Sequence, residues 1–342
     1  MNKRMQWISL VLPAAIALVL FQSVGLAQQS ALRGRVVVDG SSTVYPITEA
    51  AAAAFRKDFP NVNVTVAISG TGGGMKRFVT GETDISDASR PIKGSEFAEA
   101  KKNGVQFIEL PVALDGLSVV VNPRNDFVDK LTVEDLQQVF LEDGKARKWS
   151  DLNPAWPDGV IKIYAPGTDS GTFDYFKEVV LPEGKNFRPD QSVSEDDNVL
   201  VTGVAGDRYA IGYFGASYYY ENMDKLRAVP IVNPATGVAV LPEPENVISG
   251  DYAPLSRPLF IYVNTQSLRR PEVRRFVQFY LENDGRFAQQ VQYVAVPDDV
   301  SKQAEEFFLR RKTGSTYVTQ EMGKREGGLR LVYVESNLHD SK

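Results

Sequence analysis

The chain of 342 residues has no cysteine and a single histidine. Without cysteine there is no disulfide, no thiolate metal site and no cysteine to carry a lipid anchor. His339, close to the C-terminus, is poorly placed to serve a histidine-based mechanism or metal centre. Long apolar runs are also scarce. The only one, Ile8 to Phe21, is short for a bilayer span and contains Pro13. It follows Lys3 and Arg4 and leads into Gly25-Leu26-Ala27. That order predicts a secretory signal peptide over residues 1–27, cleaved after Ala27, with a retained membrane anchor as the rival reading. The mature chain is then expected free in an extracytoplasmic space, the periplasm. Excess positive charge is missing too: the net charge is −5, and the leader takes two cations with it. An acidic chain is a poor partner for nucleic acid. Any anion it binds must be held by local dipoles and a few placed cations.

What is present is a globular composition, 43% hydrophobic, at a length that suggests two domains or lobes. From Arg35 the pattern is strand, turn, helix, repeated. Val36-Val37-Val38 ends in Asp39-Gly40-Ser41-Ser42-Thr43, and a helix follows through Ala50–Ala54 to Phe59. Val62–Ile68 ends in Ser69-Gly70-Thr71-Gly72-Gly73-Gly74, with a short helix expected over Met75–Thr80. Asp84–Ala88 ends in the turn Ser89-Arg90-Pro91. Gly94–Lys102 reads as a helix, Val105–Leu110 as a strand and Leu117–Val121 as another. Short strands alternating with helices imply parallel βαβ units whose ligands bind beyond the carboxyl ends of the strands. Thr132 reads as an N-cap ahead of Leu136, Val139 and Phe140. Leu259–Asn264 echoes Val119–Asn122, and both read as crossings between lobes. Arg270–Asn283 is an amphipathic helix. The tail after Arg310 is polar, has little apolar pattern, and is expected to be loosely ordered.

The stretch Thr168-Asp169-Ser170-Gly171-Thr172 sits where the strand Val160–Tyr164 hands over to a helix carrying Phe173, Phe176, Val179 and Val180. The first amides of a helix lack intrahelical partners and the dipole adds partial positive charge, so added hydroxyls make a seat for an anion. The glycine run Gly70–Gly74 lacks the Gly-Lys-Ser/Thr of a P-loop and the last glycine of a dinucleotide loop. It remains a turn that lets backbone amides approach a ligand, or merely a tight turn. Asp169-Ser170-Gly171-Thr172 spells an aspartic-protease signature but has no second copy, and Thr168 and Thr172 replace the glycines of a hydrolase elbow. Ser41-Ser42-Thr43 can serve as an N-cap or as ligand hydroxyls. Arg90 can be an ordinary surface arginine or a fork for a tetrahedral oxyanion.

The order DGSSTVYP, SGTGGGMKRF, DISDASRPI, KWSDLNP, DSGTFDYF and RPLFIYVN resembles the PstS family, periplasmic phosphate receptors of ABC importers, over about Val36–Val296. The resemblance implies an α/β fold of two lobes, the type II periplasmic-binding fold, each lobe a mixed, mostly parallel sheet flanked by helices with the ligand cleft between. It implies lobe I from residues 28–120 plus 260–342 and lobe II from 121–259. It also implies a binding protein rather than an enzyme, with no cofactor and no metal. Implied phosphate contacts are Ser42, Thr43 and the Val44 amide, Thr71, Ser89 and Arg90, and across the cleft Ser170, Gly171 and Thr172. Two positions depart from the best-studied branch: Ser89 stands where an aspartate accepts the proton of hydrogen phosphate, and Pro166 where an arginine stands. Asp169, Asp87 or Asp115 could supply the acceptor. The implied partners are phosphate and the permease and ATPase subunits of an importer, with the receptor itself a monomer. The alternatives are a receptor for sulfate, molybdate or another tetrahedral oxyanion, a secreted phosphatase, and an adhesin using the scaffold without ligand.

Overall fold

The computed structural model describes residues 32–168, 170–194 and 196–342; the expected leader and Asp169 lie outside the described residues. The first part of the chain alternates as the sequence predicts. Strand β1 (Gly34–Gly40) leads to α1 (Tyr45–Asp58), β2 (Val62–Ile68) to α2 (Gly70–Phe78), and β3 (Ile85–Ala88) to α3 (Gly94–Lys102). Pro46 in the first turn of α1 and Arg56 and Lys57 in its last suit the helix dipole. β1 pairs parallel with β2 and β3, and the register sets Gly40 beside both Ile68 and Asp87. The three turns that follow these strands therefore share one sheet edge.

Strand β4 (Phe107–Val121) is a single run of 15 residues, buried throughout. The sequence reads as two strands here, Val105–Leu110 and Leu117–Val121, and the structure joins them through Pro111 and Asp115-Gly116. The chain absorbs the proline with a bulge: against the last long strand, Leu259 pairs with Ala113 and Phe260 with Pro111, so Val112 is left over.

Beyond β4 come α4 (Val133–Phe140), β5 (Lys162–Pro166), α5 (Gly171–Val180), β6 (Ser192–Ser194), α6 (Asp197–Gly206), β7 (Ala210–Gly215) and α7 (Ala216–Glu221). Thr132 caps α4 as expected, its hydroxyl accepting from the Asp135 amide at 3.0 Å. Short strands β8 (Arg227–Ala228), β9 (Ile231–Val232) and β10 (Ala239–Val240) and helix α8 (Pro244–Ser249) precede β11 (Ser256–Asn264). Helices α9 (Pro271–Leu281), α10 (Asp284–Gln290), α11 (Asp298–Arg310) and α12 (Leu329–Val332) complete the described elements.

The main sheet runs β2-β1-β3-β11-β4-β7-β5-β6, with β8 also on β4. β4 joins its two halves. Residues Phe107–Gly116 pair with β11, and Leu117–Val121 pair with β7, so the strand changes neighbours at Gly116–Leu117. The fold is thus mixed α/β with a curled sheet.

The segment after Arg310 corrects the expectation of a loose tail. Thr313, Ser315, Thr316, Tyr317, Val318 and His339 are buried. The Gly314 amide donates to the Phe107 carbonyl at 2.8 Å. Glu109, buried in β4, accepts from the Ser315 and Tyr262 hydroxyls and from the amide and hydroxyl of Thr316, at 2.5–3.0 Å. The tail supplies hydrogen-bond donors to a buried carboxylate and also packs Tyr317, Val318, Leu329, Val332 and Tyr333 into the core. His339 stacks at 4.6 Å on Phe97.

Candidate functional site

A cleft of about 770 Å³ opens where the two halves of the sheet meet. From the first half it takes Ser42 and Thr43, in the turn between β1 and α1; from the second it takes Ser170 and Thr172, at the start of α5. Asp115 and Gly116, at the point where β4 changes neighbours, also line it. Ser170 is the N-cap of α5, its hydroxyl oxygen accepting from the Thr172 amide at 3.2 Å. Gly171 is the first residue of that helix. Val44, the N-cap of α1, is buried behind the cleft lining, and its amide donates to the Ser41 hydroxyl at 3.4 Å. Two strand-to-helix turns thus face each other across one space, each with hydroxyls and first-turn amides.

Thr71, Ser89 and Arg90 do not line this cleft. They stand at the same sheet edge but are engaged with other groups. The Thr71 and Ser89 hydroxyls lie 3.0 Å apart, and the Ser89 amide donates to Thr71 at 3.2 Å. Arg90 forks onto Glu96 at 2.8 and 2.9 Å and donates to the Pro91 carbonyl. Glu96 is also the reciprocal acceptor at the start of α3, taking the Lys93 amide, so a ready-made bidentate partner lies six residues away.

The glycine run is helical rather than a turn. α2 begins at Gly70, whose φ of +73° favours glycine. At Gly74 an added Cβ would stand 2.5 Å from the Gly40 Cα, so this glycine lets α2 seat against the end of β1.

Of the candidate acceptors, Asp115 faces the cleft. Its carboxyl is pushed above the ordinary range by burial, opposed by the nearby Arg257 guanidinium. Asp87 lies behind the turn, accepting from the Thr48 hydroxyl at 3.1 Å. Burial, opposed by that hydrogen bond and reinforced by Asp39, raises it to about 8.

One residue that contacts the cleft's lining from behind escaped the sequence reading. Arg257 pairs in register with Asp115 across β11 and β4. Its guanidinium is nearly buried, donates to the Thr43 hydroxyl at 3.1 Å and lies 3.6 Å from the carboxylates of Asp115 and Glu178. It also sits 3.4 Å over the Tyr175 ring. The signal was an arginine opening a largely apolar strand, RPLFIYVN, which reads as a strand and as a family motif without giving the arginine a role.

A PBP superfamily domain model matches residues 26–284. The protein SphX of Synechococcus elongatus is 48% identical over 306 residues, covering 89% of each chain. The phosphate-binding protein PstS of Staphylococcus saprophyticus is 40% identical over 80% of this chain and 84% of that one. The chain belongs to the PstS family. Among solved structures, a possible phosphate binding protein from Planctomyces limnophilus superposes with a TM-score of 0.79 at 44% identity. That match covers 82% of this chain and 99% of the other. The fold is therefore the periplasmic-binding-protein fold of PstS proteins, and the cleft lies between its two sheet halves.

Proposed function

We propose that this protein is an extracytoplasmic receptor that binds inorganic phosphate in the cleft and hands it to the permease of an ABC importer, whose ATPase subunits drive transport. The observation that carries the reading is the opposition of Ser42 and Thr43 to Ser170 and Thr172 across one cleft. Such paired turns hold a tetrahedral anion by hydroxyls and amides without needing net positive charge on the protein. The lobes would be residues 28–120 plus 260–342 and residues 121–259, closing on the anion. The receptor is expected to be a monomer that acts without catalysis or cofactor, released by removal of residues 1–27. Thr71, Ser89 and Arg90 would complete the shell only by leaving their present partners.

Asp115 is the acceptor we assign to the ligand's proton, because a carboxylate lining an anion site offers no donor and needs a hydrogen between itself and the ligand. Hydrogen phosphate carries that hydrogen, and sulfate does not. The test is isothermal titration of the chain from Gln28 onward with phosphate, and with sulfate as competitor. Binding of phosphate undisturbed by sulfate is the expected result; no heat with any oxyanion overturns the site. Ser170→Ala should weaken phosphate about tenfold, since the lost hydroxyl leaves a ligand oxygen short of a donor, at about 1–3 kcal/mol.

A further inference from the structure

Arg257 is placed unlike any other cation near the cleft. Three different parts of the fold converge on its guanidinium: Thr43 from the turn after β1, Asp115 from the strand shared by both halves, and Tyr175 with Glu178 from α5. It therefore touches the ligand turn of one half and the helix that carries Ser170 in the other.

Its hydrogen bonding is incomplete. The two carboxylates lie at 3.6 Å, beyond an ordinary charge-assisted hydrogen bond. The buried Nε–H is the group that faces Asp115 at that distance, and it makes no closer hydrogen bond among the described residues. A buried guanidinium with an unused donor is costly unless something completes it. Two of its neighbours, Thr43 and Asp115, line the cleft, although Arg257 itself does not. By contrast, the other arginine at this sheet edge, Arg90, already has both forks filled by Glu96.

We propose that Arg257 is the cation of the anion site and couples its occupancy to the contact between the two halves, with Glu178 as a competing charge on the far side. The proposal rests on the reading of the cleft as an oxyanion site. An anion seated at the Thr43 hydroxyl draws the guanidinium toward itself and away from Glu178, whose side chain is half exposed and can turn to solvent. Stacking on Tyr175 keeps the guanidinium plane oriented throughout, so the charge is preorganised rather than recruited. Glu178 then weakens the empty site's hold on anions, because it shares the same positive charge.

The experiment is titration of the wild type and of Arg257→Gln, Arg257→Lys and Glu178→Gln with inorganic phosphate at low and high ionic strength, alongside thermal melts. Arg257→Gln should lose about hundredfold in affinity and Arg257→Lys about tenfold, since lysine restores charge without the fork or the stack. Glu178→Gln should bind about two- to threefold more tightly at low salt, and the gain should shrink at high salt. A purely structural Arg257 would lower the melting temperature without this opposite shift at Glu178. If Arg257→Gln does not fold, the other two variants decide. Wild-type binding with Arg257→Lys and Glu178→Gln unchanged overturns the proposal. Absence of wild-type binding overturns the phosphate reading itself.

Discussion

Glu109 and Asp115 lie six residues apart on the same buried strand, and burial pushes both carboxyls above their ordinary range. Their surroundings differ. Glu109 accepts four hydrogen bonds, three of them from Ser315 and Thr316 of the C-terminal tail. Asp115 has a guanidinium at 3.6 Å and a cleft in front of it. A buried carboxylate saturated by the fold is a fastener, whereas one that lines open space can also meet a ligand. The same contrast separates Arg90, filled by Glu96, from Arg257.

The comparison breaks most sharply at Glu109. Glu109→Ala strands four donors and should cost about 3–5 kcal/mol in denaturant unfolding, with the tail becoming sensitive to protease. Asp115→Asn is the mirror case. It should leave the melting temperature within about 2–4 °C, a shift equivalent to about 1 kcal/mol, while phosphate affinity falls about tenfold in titration. If instead Asp115→Asn unfolds the protein and leaves affinity intact, the two carboxylates play the same role.

A third test uses Asp87, a buried carboxyl on neither side of the contrast. Folded, it holds its proton up to about pH 8, while the unfolded chain releases it near pH 4. Its contribution to stability is complete below the unfolded value and is lost as pH rises through the folded one. Wild-type stability should therefore decline between pH 5 and pH 8 by at most about 1.4 kcal/mol per unit, and Asp87→Asn should flatten that slope in melts across the range. The smallest effect is expected at Arg90. With its fork spent on Glu96, Arg90→Ala should change phosphate affinity by less than about threefold, or under 1 kcal/mol. A tenfold loss would mean that the guanidinium leaves Glu96 for the ligand.

Much of the fold was legible because its signals are local. Val36–Val38, Val62–Ile68 and the cap at Thr132 declare themselves by alternation and by short-range hydrogen bonding. Ser42, Thr43, Ser170 and Thr172 were readable because they occupy strand-to-helix turns, and topology alone carries those turns to the cleft. What was not legible depends on partners far apart in sequence. Arg257 matters through Thr43, more than 200 residues away. The tail looked unstructured because its anchor, Glu109, lies about 200 residues away in sequence. Val105–Leu110 and Leu117–Val121 read apart because the long strand that joins them contains Pro111, which a bulge at Leu259–Phe260 absorbs. The glycine run looked like a loop, yet Gly74 serves a helix pressed against a strand end.

The change of neighbours in β4 at Gly116 has a mechanical consequence. There the backbone trades β11 for β7, with a bond from the Leu117 amide to the Leu255 carbonyl bridging the exchange. A torsion about this strand would let the two halves turn as leaves turn about a spine. Asp115 sits on that axis and would hardly move during such a rotation, while Ser42 and Ser170, farther out, would travel toward each other. The least mobile point of the cleft would then be the carboxylate proposed to read the ligand's proton, and the most mobile would be the hydroxyls proposed to grip it.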